Sequence, residues 1–86
     1  MIKKSMVVAL KGGLEARPIA ELVQVASKYD SRIYIELGTK RVNAKSIMGM
    51  MSLELGSGAP MTVSAEGDDE EDAIAEIQEF VEDGKR

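Results

Sequence analysis

Residues 32–43 read RIYIELGTKRVN, and this stretch contains two short segments on either side of a tight turn. In the first segment apolar and polar side chains alternate with a period of two, which is typical of a strand with one buried face. Its inward positions are Ile33, Ile35 and Leu37. Gly38-Thr39 suits a two-residue hairpin turn with glycine at the first central position. The stretch therefore predicts an antiparallel pair of strands over 32–37 and 40–43.

A strand and a helix are predicted on the N-terminal side of this hairpin. The run 6–10 alternates with its even-numbered residues inward, and Gly12-Gly13 ends it. The apolar residues that follow recur at the spacing i, i+3, i+4, i+7 of one helix face: Ile19, Leu22, Val23 and Ala26. Pro18 suits the first turn of this helix, because the N–H that proline lacks has no partner there. We expect the helix to end near Lys28-Tyr29.

A short helix, a strand and a longer helix are predicted on the C-terminal side. Ser46 is a good N-cap for a helix that runs to about Leu53. After Pro60, alternation at Met61, Val63 and Ala65 predicts a fourth strand. The last helix is expected to begin near Asp69, with Asp72 completing an acidic relative of the capping box. Its predicted buried stripe consists of Ala73, Ile74, Ile77, Phe80 and Val81.

The order of predicted elements, β-α-β-β-α-β-α, defines the fold class. Long helices together with alternating strands favour an α+β architecture, in which helices cover one face of an antiparallel sheet. We find no internal repeat, linker or low-complexity segment along the 86 residues. The sequence therefore predicts a single domain over 1–86.

The composition excludes several classes of function. The chain contains no histidine, cysteine or tryptophan, so it has no serine–histidine or cysteine–histidine nucleophile pair, no disulfide and no thiolate metal site. We therefore predict a protein that is not an enzyme. The apolar run 6–10 is too short for a signal-peptide core, and no stretch approaches the length of a membrane span. We expect a cytoplasmic protein without membrane contact.

Charge is distributed unevenly along the sequence. The net charge is −4, but residues 66–86 contain ten acidic residues against Lys85 and Arg86, which gives that segment −8. Residues 1–65 carry nine basic and five acidic residues, or +4. Three aromatic residues do not form the stacking platform of a nucleic-acid-binding surface. A basic docking face for an acidic protein partner is the better interpretation, because complementary charge steers encounter and register.

The acidic and glycine-rich segments do not match known ligand motifs. The run 68–72 lacks the spaced oxygen ligands and the central glycine of a calcium loop. Gly12-Gly13 and the segment 56–58 lack the remaining residues of dinucleotide-binding and phosphate-binding loops, and both are interpreted as turns. We therefore predict neither a metal site nor a cofactor.

The predicted short helix has more apolar residues than one buried face can accommodate. On a helical wheel Ile47, Met50 and Leu53 can share one side, which leaves Met48 and Met51 on another. Exposed methionines form adaptable partner surfaces, so we favour an interaction role for this pair. Ser46, beside Lys45, has two interpretations, since it can act as an N-cap or accept a phosphate at the positive end of the helix dipole.

Two longer motifs resemble the HPr family, the small phosphocarriers of the bacterial sugar phosphotransferase system. They are GLEARP at 13–18 and NAKSIMGMMSL at 43–53. The resemblance covers essentially the whole chain and implies an open-faced β-sandwich, a four-stranded antiparallel sheet with three helices on one side. It also implies two phosphorylation points, a histidine that enzyme I phosphorylates and a serine that HPr kinase/phosphorylase phosphorylates.

Glu15 occupies the position of the family's histidine, whereas Ser46 and its surroundings match the family motif. This combination resembles the Crh subgroup, the catabolite-repression HPr homologues, although these have glutamine rather than glutamate at position 15. The resemblance implies that phosphorylated Ser46 makes the protein a corepressor of a LacI-type catabolite control protein. The partner-binding residues that it implies are Glu15, Arg17, Ala20, Lys45, Ile47, Met48 and Met51.

Two alternatives remain open. One is a phosphocarrier whose histidine was replaced by Glu15, through natural divergence or by design. The other is a constitutive binding module that uses Glu15 as a fixed negative charge. Docking to enzyme I without phosphotransfer is also open, and we expect a monomer or a weak dimer.

Overall fold

The computed structural model describes residues 1–9, 16–53 and 56–83 and contains one antiparallel sheet with helices packed against it. The strands are β1 (Ile2–Val7), β2 (Arg32–Leu37), β3 (Lys40–Asn43) and β4 (Pro60–Glu66). The helices are α1 (Ala16–Ser27), α2 (Ile47–Met51) and α3 (Glu70–Gln78), and a π-helical turn over Glu79–Asp83 follows α3. The predicted order of elements and the α+β fold class are confirmed.

The sheet has the strand order β1-β4-β2-β3, and every neighbouring pair is antiparallel. Both strands of the predicted hairpin have the expected bounds. Gly38 has φ +62°, the sign that the first central residue of a type II′ turn requires. This left-handed conformation favours glycine, since a Cβ would be strained there.

The first strand begins at Ile2, four residues before the predicted start of the alternation at Met6. Lys3, Lys4 and Ser5 are exposed, so hydrophobic alternation does not mark this part of the strand. Backbone pairing holds it instead, from Ile2 opposite Ala65 to Val7 opposite Pro60. Leu10 and the predicted turn at Gly12-Gly13 lie outside the described residues.

One aliphatic core lies between the sheet and the helices. The inner face of the sheet contributes Met6, Ile33, Ile35, Met61, Val63 and Ala65. On α1, Ile19, Leu22 and Ala26 are buried as predicted, but Val25 is fully buried whereas Val23 is only partly buried. The buried face of α1 is therefore rotated slightly from the predicted one. The predicted stripe of the last helix is buried throughout.

The start of α3 differs from the predicted capping box. Asp69 occupies the N-cap position, but its side chain makes no capping hydrogen bond. Its carboxylate instead accepts hydrogen bonds from the backbone N–H groups of Asp30 (2.8 Å) and Ser31 (3.0 Å) and from the Ser31 hydroxyl. Glu70 Oε1 accepts from the Gly67 N–H at 3.0 Å. Asp69 thus joins the loop before α3 to the loop before β2, and Glu70 holds the loop before α3.

The end of the described chain closes against β1. The Ala9 N–H donates to the Val81 carbonyl at 2.9 Å, and the Val7 N–H donates to Glu82 Oε2 at 3.2 Å. The side chain of Gln78 also donates to Glu82, at 2.9 Å. None of the described helices is long and apolar enough to cross a membrane.

Candidate functional site

Ser46 is the N-cap of α2, as the sequence predicts. Its backbone is extended (φ −103°, ψ 112°), and its Oγ accepts a hydrogen bond from the Gly49 N–H at 3.2 Å. The Ser46 N–H donates to the Asn43 carbonyl at 3.0 Å, and Asn43 Oδ1 accepts from the Lys45 N–H at 2.8 Å. This turn holds the partly buried serine side chain at the first turn of the helix.

Gly49 is a residue of this site that the sequence reasoning missed. A Cβ at this position would lie 3.4 Å from Ser46 Oγ and 3.6 Å from the Cβ of Val42. The absence of a side chain therefore leaves space around the serine hydroxyl. A glycine in the middle of a predicted short helix, three residues after its cap, was the available signal, because glycine is unfavourable in helix interiors.

The exposed surface of α2 is apolar, and we call Ile47, Met48 and Met51 the α2 patch. Their exposed fractions are 44%, 83% and 54%. Ile47 and Met50, which can share one side of the helix on a helical wheel, are not buried alike. α2 has only five residues and packs against α1 and β3, so it buries Met50 completely and leaves its first residue partly in solvent. The helix was predicted to run to about Leu53 but ends at Met51, and Leu53 is buried beyond it.

Lys45 contacts the turn that follows α1. Its Nζ donates to the Tyr29 carbonyl at 2.5 Å, and the residue is partly buried. The Tyr29 hydroxyl donates to Glu76 on α3, and Lys28 Nζ lies 2.5 Å from the other oxygen of that carboxylate. The hydrogen bond to Glu76 and burial raise the pKa of Tyr29 to about 12. These contacts join the end of α1 to both α2 and α3.

The remaining predicted site residues lie on or before α1, which packs against α2. Arg17 is exposed in the first turn of α1, and Ala20 is partly buried one turn later. Within the described ranges Arg17 forms no ion pair. Glu15 lies outside the described residues, and its role in partner binding stays a prediction.

The described residues contain no group of three or more acidic side chains that could hold a metal ion. Within the acidic run 68–72, hydrogen bonds from the Ser31 hydroxyl and the Asp30 N–H lower the pKa of Asp69. A hydrogen bond from the Gly67 N–H lowers the pKa of Glu70. Both carboxylates therefore serve the structure of the loops.

Comparison with known proteins gives the family. The family model described as "PTS HPr component phosphorylation site" matches residues 2–83. The chain therefore belongs to the HPr family. It is 50% identical over 82 residues to HPr-like protein Crh of Halalkalibacterium halodurans, covering 95% of this chain and 98% of the relative. It is 42% identical over 83 residues to HPr-like protein Crh of Bacillus subtilis strain 168, covering 96% and 98%.

Solved structures confirm the HPr fold. HPr-C-His from Thermoanaerobacter tengcongensis matches with a TM-score of 0.92 and 46% identity, over 100% of this chain and 99% of that one. Phosphocarrier protein HPr from Bacillus anthracis matches with a TM-score of 0.89 and 46% identity, over 93% and 95%. Bacillus subtilis Crh, described as a swapped, intertwined dimer, matches with a TM-score of 0.77 and 42% identity, over 96% and 95%. The relatives thus include carriers and catabolite-repression homologues.

Proposed function

We propose that this protein is an HPr-like regulator of carbon catabolite repression that HPr kinase/phosphorylase phosphorylates on Ser46. The phosphorylated form acts as a corepressor partner of a LacI-type regulator in the cytoplasm. The observation that carries the proposal is the position of Ser46, which caps α2 directly before the exposed α2 patch. The Crh relatives support the same regulatory role.

A phosphate on Ser46 would change charge without opposing the fold. The side-chain oxygen of Ser46 already accepts a hydrogen bond from the Gly49 N–H at the start of α2, where backbone N–H groups favour negative charge. Phosphorylation adds about −1.5 to −2 charges at this point. The phosphate would then stand directly before the exposed α2 patch in the chain, and a partner would need both cationic groups for the phosphate and an apolar groove for the patch.

The residues of α1 supply the other part of the proposed docking surface. Arg17 is exposed on the helix that packs against α2 and offers a cation to a partner or to the phosphate. Lys45 contributes to the docking surface mainly through its location beside Ser46 and less through its charge, because its ammonium is hydrogen-bonded to the Tyr29 carbonyl.

A chain without histidine cannot form a phosphohistidine, so relay from enzyme I to sugar permeases is excluded from the proposed function.

The test compares two phosphorylation reactions on the intact chain. With ATP and HPr kinase/phosphorylase, we expect acid-stable phosphate on Ser46, and Ser46→Ala should lose it. Ser52→Ala is the matched control, because Ser52 is exposed at the other end of α2 and should not affect labelling. The phosphorylated parent should then bind a LacI-type catabolite control protein more tightly than the unphosphorylated parent. Label elsewhere, or no change in binding, would contradict the proposal.

The second candidate is a phosphocarrier whose histidine was replaced, and the similarity to phosphocarrier protein HPr of Bacillus anthracis favours it. Phosphoenolpyruvate and enzyme I provide the discriminating reaction. We expect no label on the parent and partial labelling of Glu15→His, because Ala16-Arg17-Pro18 is intact. Acid-labile label on Glu15 itself would show that the carrier activity persists. No label on Glu15→His would show that the docking surface has diverged.

A further inference from the structure

The face of the sheet opposite the helices carries a second set of organised side chains. Strand register places Lys3 on β1, Ser64 on β4, Tyr34 on β2 and Asn43 on β3 in one row across the sheet. Arg41 lies in the adjacent row, where its cross-strand partner is Glu36. Among the described residues, no helix covers this face, since the buried residues of the helices join the core on the other side.

Arg41 does not form an ion pair with Glu36, its cross-strand partner. Lys3 Nζ approaches the Glu36 carboxylate to 3.5 Å, and the Arg41 guanidinium instead stacks over Tyr34, 3.8 Å from the ring centroid. The side chain of Arg41 makes no hydrogen bond or ion pair with any residue in the described ranges. Stacking fixes the plane of the guanidinium while its N–H donors stay available for an anion.

The surroundings of Arg41 also favour an anionic partner. A shallow cavity of about 370 Å³ adjoins it, and its lining includes Lys3, Thr39, Lys40 and Ser64. Glu36 is the acidic group in this lining, and the nearby ammonium of Lys3 offsets its negative charge. Arg32 is exposed two residues before Tyr34 on β2, and its side chain likewise forms no ion pair or hydrogen bond within the described ranges. This basic face occurs in a protein whose net charge is −4.

We propose that Lys3, Arg32, Tyr34 and Arg41, which we call the Arg41 face, bind an acidic segment of a partner protein. Planar guanidinium groups pair with carboxylates through two parallel hydrogen bonds, and a held guanidinium loses less freedom on binding. A continuous nucleic-acid strand is less suitable, because the face offers only one aromatic ring, Tyr34, on which bases could stack. This site does not depend on Ser46, since it uses the opposite face of the sheet.

The test is an NMR titration of the isotopically labelled intact protein with a short synthetic peptide of alternating glutamate and glycine. We expect saturable shifts at Tyr34, Arg41 and Asn43, weakened by added salt, and none at Met48 or Met51. A peptide with glutamine in place of glutamate should cause no shifts. Arg41→Ala should weaken binding about tenfold, the loss expected for one charge-assisted pair. Arg41→Lys should retain part of the affinity, because it keeps the charge but not the planar donors.

Lys4→Ala is the matched control, since Lys4 is an exposed cation of β1 whose cross-strand partner is the core residue Val63, so it lies on the other side of the sheet from the Arg41 face. It should bind the peptide as the parent does, with an otherwise unchanged spectrum. Equal weakening by Lys4→Ala and Arg41→Ala would overturn the proposal, as would the absence of saturable shifts. Tighter binding of a single-stranded oligonucleotide at Tyr34 would also overturn it. The same applies to concentration-dependent shifts at Tyr34 without peptide, which would assign the face to a second copy of the chain.

Discussion

Two glycines in this structure lie next to a serine side chain, but the space for an added Cβ differs between them. At Gly49, an added Cβ would make ordinary contacts with Ser46 and Val42, the nearest at 3.4 Å. At Gly67, the φ angle is +156°, and a Cβ would lie 2.6 Å from Ser31 Oγ and 2.7 Å from Ser31 Cα. Only the second position therefore requires glycine sterically.

Replacing each of these glycines by alanine should change stability in opposite directions. Gly49→Ala should raise the free energy of unfolding by about 0.5–1 kcal/mol, because alanine has the higher helix propensity. Gly67→Ala should lower it by about 1–3 kcal/mol, because Ser31 and its backbone must move. Urea unfolding of the parent and both variants measures the differences. If both variants were equally stable, the close approach at Gly67 would not constrain the fold.

The loop between β4 and α3 is held by acidic side chains, and this makes the element sensitive to acid. Asp69 accepts three hydrogen bonds from Asp30 and Ser31, which lower its pKa in the folded state. A lowered folded-state pKa stabilises the fold above the unfolded-state pKa, and this contribution is lost as pH falls through the lower value. Glu82 behaves in the same way, through hydrogen bonds from Gln78 and the Val7 N–H.

Asp69→Asn should therefore lower stability at neutral pH, because an amide oxygen replaces a carboxylate that accepts three hydrogen bonds. The difference from the parent should shrink as the pH falls below 3.8, the usual pKa of an aspartate. Urea midpoints measured across this range test the prediction. Asp68→Asn is the matched control, since it removes the same charge from an exposed neighbour. A constant difference at every pH would contradict the role of the ionised carboxylate.

The elements differ in how well their sequence patterns predicted them. β2 and β3 were predicted with their observed bounds, because alternation and a glycine turn are local signals. The start of β1 was not, since its exposed lysines gain their strand conformation from pairing with β4. The prediction of a capping box at Asp69 was wrong for a similar reason. Its carboxylate finds partners near residue 30 in space, and local spacing contains no information about that contact.

At the site, too, some features follow from the local sequence and others depend on the tertiary structure. Ser46 was predicted as an N-cap from its position alone, and the structure confirms this. The exposure of Ile47 and the hydrogen bond from Lys45 to Tyr29 depend on how α2 packs against α1. The stacking of Arg41 on Tyr34 likewise requires the strand register. These features could not be read from residue spacing.

At the scale of the whole molecule, the two proposed surfaces lie on either side of one core. The α2 patch belongs to the helical layer, and the Arg41 face belongs to the uncovered side of the sheet. The buried residues between them include Met50, Ile35 and Val63. Exposed side chains on both surfaces contribute little to this core, so binding and stability should be separable by mutation.

Met48 and Met50 provide the sharpest comparison, because they are the same residue type on one short helix. Met48 is 83% exposed and Met50 is fully buried. Met50→Ala should lower the free energy of unfolding by about 2–5 kcal/mol, as expected for a cavity in a packed core. Met48→Ala should change it by less than about 0.5 kcal/mol.

Met48→Ala, phosphorylated on Ser46, should nevertheless bind the LacI-type regulator more weakly than the phosphorylated parent. Calorimetric titration measures that binding, and urea unfolding measures stability. Unchanged affinity of Met48→Ala would remove the α2 patch from the proposed interface, whereas a large loss of stability would show that Met48 belongs to the core.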